Sequence, residues 1–312
     1  MENWDLIIIG GGAAGLSAGI YGARSGLKTL VIEGKMSGGT TADAPTVENY
    51  PGFSQITGAE LAEKMSTHCR KVGVTINEIE IVTSIGFNPD KNIVRTSQTD
   101  YETKTVLIAT GSHYRELGVP GEKEFRGRGV SYCGVCDGPL FKGKRVLVVG
   151  GGNSAAITTL YLSGIASEVI VVHRKSAFRC EETLAKDVQS KPNVRIMWNA
   201  EIKEIKGEKI VNKVVLSDTK TGFTQDVNVD AVFVQIGEAP NSQLAKDSGI
   251  EVNEEGYIKI DIYQRTNVPG VYAAGDVTNH PVKQIGTAVG QGITAALEAY
   301  GFIRRPYYRR ER

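Results

Sequence analysis

Two cysteines with two residues between them, Cys133-Gly134-Val135-Cys136, followed by Asp137-Gly138, form the stretch of this chain best suited to chemistry. At that spacing the sulfurs can close a small disulfide or supply half of a zinc site, and near strand-helix-strand patterns the pair reads as a redox or metal motif before it reads as a structural bridge. A zinc site needs a second half. The other cysteines, Cys69 and Cys180, are isolated and no histidine-rich partner motif is present, so no metal is expected. His68 and Cys69 fall together in a helical stretch, a placement that suits packing or surface better than ligation.

Two glycine turns flank the cysteines. The first, Gly10-Gly11-Gly12-Ala13-Ala14-Gly15, comes after the apolar strand Leu6-Ile7-Ile8-Ile9 and opens a helix-compatible run; a second strand, Lys28-Thr29-Leu30-Val31-Ile32, then ends in Glu33. Strand, tight turn, helix N-terminus and an acid 18 positions after the last glycine are what a dinucleotide needs. The turn admits the pyrophosphate and the acid binds a ribose hydroxyl. The bland alternative is a glycine-rich turn with no ligand. After the cysteines the unit recurs: strand Lys144 to Val149, turn Gly150-Gly151-Gly152-Asn153-Ser154-Ala155, helix, strand Glu168 to Val172. This copy ends in His173-Arg174-Lys175-Ser176-Ala177-Phe178-Arg179, cations where the first has an acid. Cations suit a ribose bearing a 2′-phosphate, so the first site fits FAD or NAD and the second NADP(H); the alternative for the basic cluster is a solvated surface loop.

The elements that must hold these residues fill a chain of 312 residues, beyond the usual single-core size, so two domains are expected. With 36 basic and 35 acidic side chains the balance gives no support to a nucleic-acid or membrane surface. The start has no signal-peptide pattern and no stretch approaches the roughly 20 apolar residues of a membrane span, so a soluble, cytoplasmic protein is expected. Residues 57–73 read as a helix with a capping box at Thr57-Gly58-Ala59-Glu60. Residues 74–108 and 194–234 read as antiparallel β layers, Tyr257-Ile258-Lys259-Ile260 and residues 271–276 as strands, and about 285–300 as a helix. The basic, aromatic stretch 304–312 reads as a fraying terminus.

Taken in order, Gly10-x-Gly12-x-x-Gly15, Ala109-Thr110-Gly111, Cys133-x-x-Cys136-Asp137, Gly150-x-Gly152-x-x-Ala155, His173-Arg174-Lys175-x-x-x-Arg179 and Gly275-Asp276 resemble the low-molecular-weight thioredoxin reductases along essentially the whole chain. The cysteine pair between the two nucleotide turns is the most specific element, because other flavin disulfide reductases carry it in the first domain. The resemblance implies an α/β fold of two Rossmann-like dinucleotide-binding domains, each a parallel sheet with a small antiparallel layer. Residues 1–116 and 243–312 would form the FAD domain and residues 117–242 the NADPH domain with the cysteines. FAD would be held by Gly10, Gly12, Ala13, Ala14, Gly15, Glu33, Gly39, Thr40, Asn49, Thr110, Gly111, Gly275 and Asp276, with Lys283 and Gln284 near the isoalloxazine end. NADPH would be held by Gly150, Gly152, Asn153, Ser154, Ala155, His173, Arg174, Lys175 and Arg179.

The implied activity carries electrons from NADPH through FAD to Cys133-Cys136 and on to thioredoxin, in a homodimer. Cys136 would face the flavin, Cys133 would attack the partner disulfide, and Asp137 would move the proton, unless it only caps the turn after it. One cysteine pair cannot meet a flavin and a bulky partner at once, so rotation about crossings near residues 113–120 and 238–246 is expected. The chain departs from the family pattern at Lys175, where arginine is usual, and at Thr158-Thr159, where Glu-Glu is frequent. The donor therefore stays open between NADPH and a deazaflavin or ferredoxin. A small-molecule dithiol oxidase and a nucleotide-binding redox sensor are further readings.

Overall fold

The computed structural model describes residues 2–44, 46–88 and 91–304. The basic tail at 305–312 lies outside the described residues. The chain forms two compact units, Met1–His113 with Ala239–Arg312, and Tyr114–Glu238.

In the first unit, β1 (Glu2–Ile9) runs into the glycine turn and α1 (Ala13–Arg24), then β2 (Thr29–Ile32) lies parallel on β1 with Leu6 opposite Thr29. Leu6 to Ile9 are all buried, as a strand covered on both faces requires. Next, α2 (Gly58–Lys71) starts at Thr57, whose hydroxyl accepts the Glu60 N–H at 3.2 Å. Residues 74–108 do not form a single antiparallel layer. Reached through α2, β3 (Thr75–Asn77) pairs parallel with β2, because a helical crossover returns the chain in the same direction. Only β4 (Val82–Gly86), β5 (Asn92–Thr96) and β6 (Asp100–Ile108), joined by short connections, meander antiparallel; β6 then pairs parallel with β1. The result is one mixed sheet in the order β3-β2-β1-β6-β5-β4.

The chain leaves through β7 (Ser112–Tyr114) and builds the second unit. Its elements are β8 (Val130–Ser131), the single turn α3 (Gly134–Asp137), β9 (Arg145–Val149), α4 (Asn153–Ser163), β10 (Glu168–His173), α5 (Glu182–Ser190) and β11 (Val194–Trp198). After them come β12 (Ala200–Gly207), β13 (Val211–Asp218), β14 (Thr224–Asn228) and β15 (Ala231–Val234). The main sheet, β11-β10-β9-β15-β8, is parallel throughout, so both ends of the stretch 194–234 belong to it and only β12 to β14 form the antiparallel layer. Val130, Leu147, Ile170 and Val232 of the sheet pack against Ile202, Val214 and Leu216 of that layer. The other sheet face packs Val148, Val171 and Phe233 with Ala155 and Leu162 of α4.

The return strand β16 (Glu238–Pro240) pairs with β7 and leads to α6 (Gln243–Asp247). Tyr257 to Ile260 make isolated bridges from Ile258 to Val252 and Thr278 instead of a strand. Then β17 (Val271–Ala273) adds parallel to β6, and α7 (Ile285–Arg304) lies against α1. That contact explains the small residues of both helices: a Cβ on Gly292 would stand 2.1 Å from the Ala14 carbonyl. No helix among the described residues is long and apolar enough to cross a membrane.

Candidate redox and dinucleotide sites

Cys133 and Cys136 are joined by a disulfide, with Cα atoms 5.3 Å apart, across the single turn of α3. Their sulfurs are thus bonded to each other. Cys133 is half-buried and Cys136 exposed. The helical turn is what brings the two sulfurs within reach: the Asp137 N–H donates to the Cys133 carbonyl at 3.1 Å, and the Cys136 N–H donates to Cys133 Sγ at 3.2 Å. A polar line runs beneath it. The Cys133 N–H donates to Ser131 Oγ at 3.1 Å, and that hydroxyl donates to Asp137 Oδ2 at 2.6 Å. Burial pushes the Asp137 carboxyl above its ordinary value, against the Ser131 hydroxyl, which pulls it down. A carboxyl that holds its proton more tightly than usual, beside a disulfide, can give that proton to a thiolate and take it back.

What holds α3 in place is less visible in the sequence. A Cβ on Gly134 would lie 2.5 Å from Thr158 Cγ2, so the turn sits directly on α4. Thr159, fully buried, donates its hydroxyl to the Ala155 carbonyl at 2.7 Å. Both threonines are therefore buried in α4, and Thr158 lies under the turn that carries the disulfide. Upstream, the buried carboxylate of Glu122 accepts from the Leu117 and Gly118 N–H groups, both at 2.8 Å, and from the Tyr132 hydroxyl at 2.9 Å. Burial and Glu122 together push the Tyr132 phenol up, so it stays a donor and anchors the strand that leads into Cys133.

In the first unit, Gly10 has φ 110°, and a Cβ there would stand 2.3 Å from the Ala109 carbonyl oxygen. A Cβ on Gly15 would stand 1.9 Å from the Gly10 carbonyl oxygen, which is how closely α1 enters the turn. Glu33, at the end of β2, accepts the Gly11 N–H on Oε2 at 2.7 Å and the Lys35 N–H on Oε1 at 2.9 Å. Gly39 is pressed against Gly12, Thr40 is exposed beside it, and Gly275 is pressed against Ala14. From there Lys283 Nζ donates to the carbonyls of Asp276 at 3.2 Å and Thr278 at 2.5 Å and lies 4.2 Å from the Tyr257 ring centroid. Gln284 accepts from Asn49 Nδ2 at 3.2 Å, joining residues far apart in sequence. Thr110 and Gly111 are placed differently. Their groups are tied to Asn241, which accepts the Thr110 hydroxyl at 2.7 Å and donates its side-chain amide to the Thr110 carbonyl at 2.8 Å and its N–H to the Gly111 carbonyl at 2.9 Å. Asn241, Glu122 and Gln291, whose Oε1 accepts the Gly275 N–H at 2.7 Å, have no local pattern to betray them.

The second turn repeats the backbone. Gly150 has φ 146°, and a Cβ there would lie 2.2 Å from the Gln235 carbonyl oxygen. The end of β10 differs from that of β2: where Glu33 stands in the first unit, His173 is buried under the turn, its ring within 2.5 Å of where a Gly151 Cβ would be, and it stacks on Phe178 at 6.3 Å between centroids. Burial, with Arg179, Arg174 and Lys175 nearby, pushes the imidazole below its ordinary value against its bond to the Ala177 backbone, so it stays neutral. Arg174, Lys175 and Arg179 are exposed, and none makes an ion pair among the described residues. Ser154 is exposed on the first turn of α4.

Two glycine turns that each open a helix, an acid closing one turn, cations closing the other and a Cys-x-x-Cys disulfide in the second unit together define a nicotinamide- and flavin-type disulfide oxidoreductase. Residues 4–292 match the family model described as pyridine nucleotide-disulphide oxidoreductase, and the chain belongs to that family. It is 42% identical to the thioredoxin reductase of Bacillus subtilis over 96% of this chain and 95% of that one. It is 41% identical to a 34.2 kDa protein in the rubredoxin operon of Clostridium pasteurianum, over 97% and 98%. Among solved structures, the thioredoxin reductase of Streptococcus pyogenes superposes with a TM-score of 0.93 at 41% identity, covering 96% of this chain and 98% of that one.

Proposed function

We propose that the chain is a thioredoxin reductase that takes electrons from NADPH and delivers them to the disulfide of a thioredoxin-like protein. The observation that carries this reading is the Cys133–Cys136 disulfide standing over Asp137 in the unit whose glycine turn ends in cations. The residues present fit both nucleotides. Gly10 and Gly150 allow the tight turns, Gly12 and Gly152 have nothing nearer than 3.9 Å to where a Cβ would stand and leave the backbone open where a phosphate must approach, Glu33 suits the free ribose hydroxyls of FAD, and Arg174, Lys175 and Arg179 suit a 2′-phosphate. Bound FAD would supply the two-electron relay between nicotinamide and disulfide.

The rest is work for this chain's own atoms. Reducing the Cys133–Cys136 bond takes two electrons and two protons, one for each sulfur. Asp137 is placed to hold one of those protons, with Ser131 fixing its carboxyl. In the dithiol, the Cys136 N–H that already donates to Cys133 Sγ favours thiolate at Cys133, which would attack the partner's disulfide. The mixed disulfide so formed is released when Cys136 attacks Cys133 Sγ and re-forms the bond. Where the family often has two glutamates, Thr158 packs under α3 and Thr159 spends its hydroxyl on the Ala155 carbonyl within α4. A cytoplasmic homodimer belongs to the same reading and rests on the resemblance.

The test is Cys136→Ser. The variant keeps its flavin and its NADPH-dependent flavin bleaching and loses thioredoxin reduction; retained disulfide turnover would refute the assignment.

A further inference from the structure

Arg179 is fixed to the second glycine turn through its backbone, its N–H donating to the Gly151 carbonyl at 2.7 Å. Two residues on, the chain is tied to that turn again. Asn153, the first residue of α4, accepts the Glu181 N–H on Oδ1 at 3.0 Å and donates from Nδ2 to Glu181 Oε1 at 3.2 Å. Both ends of the amide are matched, acceptor to donor and donor to carboxylate. The Glu181 carbonyl then accepts the Ala185 N–H and opens α5. The guanidinium of Arg179 therefore hangs from a backbone held at residue 179 and at residue 181, while His173 packs against the turn at Gly151.

We propose that Asn153 and Glu181 form a clasp that positions Arg179 for a nucleotide bearing a 2′-phosphate, a role that rests on the NADPH reading of this unit. A carboxylate beside a phosphate site looks unfavourable at first. Across water, however, the repulsion between exposed charges is weak and screened, whereas a bond to a charged acceptor is among the stronger hydrogen bonds. The clasp outweighs the repulsion, and removing Glu181 weakens binding.

The experiment measures the Kd of 2′,5′-ADP, and of 5′-AMP as the control without a 2′-phosphate, on the FAD-loaded full chain. Glu181→Ala weakens 2′,5′-ADP by about threefold to tenfold, the worth of one hydrogen bond, and leaves 5′-AMP unchanged. Glu181→Gln keeps the acceptor and stays within about twofold of the parent. Asn153→Asp sets two carboxylates against each other and weakens 2′,5′-ADP, and adding Glu181→Gln restores it. In an Arg179→Ala background, Glu181→Ala has no further effect, because the clasp acts through Arg179. In turnover, KM for NADPH rises while kcat holds, and flavin absorbance and Tm show each variant folded. Tighter or unchanged 2′,5′-ADP binding in Glu181→Ala, with the parent still discriminating between the two ligands, overturns the clasp alone. A parent that does not discriminate overturns the NADPH reading and the clasp with it.

Discussion

The turns at residues 10–15 and 150–155 fold alike, each opening on a left-handed glycine pressed to a neighbouring strand's carbonyl, yet the side chains that close them differ in charge and in burial. In the first unit the closing group is Glu33, whose carboxylate accepts N–H groups from the turn itself and from Lys35. In the second a neutral, buried His173 supports the turn and leaves Arg174, Lys175 and Arg179 exposed beside it. In the proposed function one backbone device serves two nucleotides, and the charged groups just past each strand set which.

The sharpest way to separate the turns is to fill them. Gly10→Ala meets the Ala109 carbonyl and a φ that side chains avoid, so it strips the flavin and lowers Tm. Gly150→Ala meets the Gln235 carbonyl, and its absorbance spectrum shows a yellow protein that NADPH no longer bleaches. Identical losses in both variants would break the comparison. A step smaller, Arg174→Ala with Arg179→Ala raises KM for NADPH by about 10-fold to 100-fold and leaves KM for NADH near its starting value, because only the 2′-phosphate contacts are lost. Equal effects on the two nucleotides would return the cations to the role of a solvated loop.

The smallest effect on stability is that of Asp137, beside the disulfide. Because Asp137 titrates above its ordinary value in the folded chain, the native state binds more protons than the unfolded chain between the two values. Stability contributed by this group is present below the unfolded carboxylate pKa of about 4 and falls as pH rises through that window. Asp137→Asn keeps an acceptor for Ser131 and removes this loss, so the variant gains Tm at neutral pH but not at acid pH, while disulfide turnover drops by about 100-fold. A variant as active as the parent would leave Asp137 only as the residue ending α3.

The repeated strand, turn and helix are legible in the sequence because each is a local pattern, and Glu33 and the cations sit at a fixed distance from their turns. The parallel placement of β3 and β11 is not, since alternation along a strand does not reveal the direction of its neighbour; the intervening α2 and α5 decide that. Nor can spacing show that Thr158 lies under Gly134, that Glu122 holds the approach to Cys133 or that Asn241 binds Thr110, because these partners meet only after the chain has folded. Glu181 is hidden for the same reason, being one more exposed acid until Asn153 is seen beside it.

The most direct measurement is an anaerobic NADPH titration of the purified protein, with flavin absorbance tracked and the cysteines trapped by alkylation at each point. Electron flow from NADPH to the disulfide gives a yellow protein whose flavin bleaches as NADPH is added while Cys133 and Cys136 become open to alkylation, and NADH is a poor substitute. A flavin that NADPH leaves fully oxidised, or cysteines that stay blocked to alkylation throughout, would contradict it.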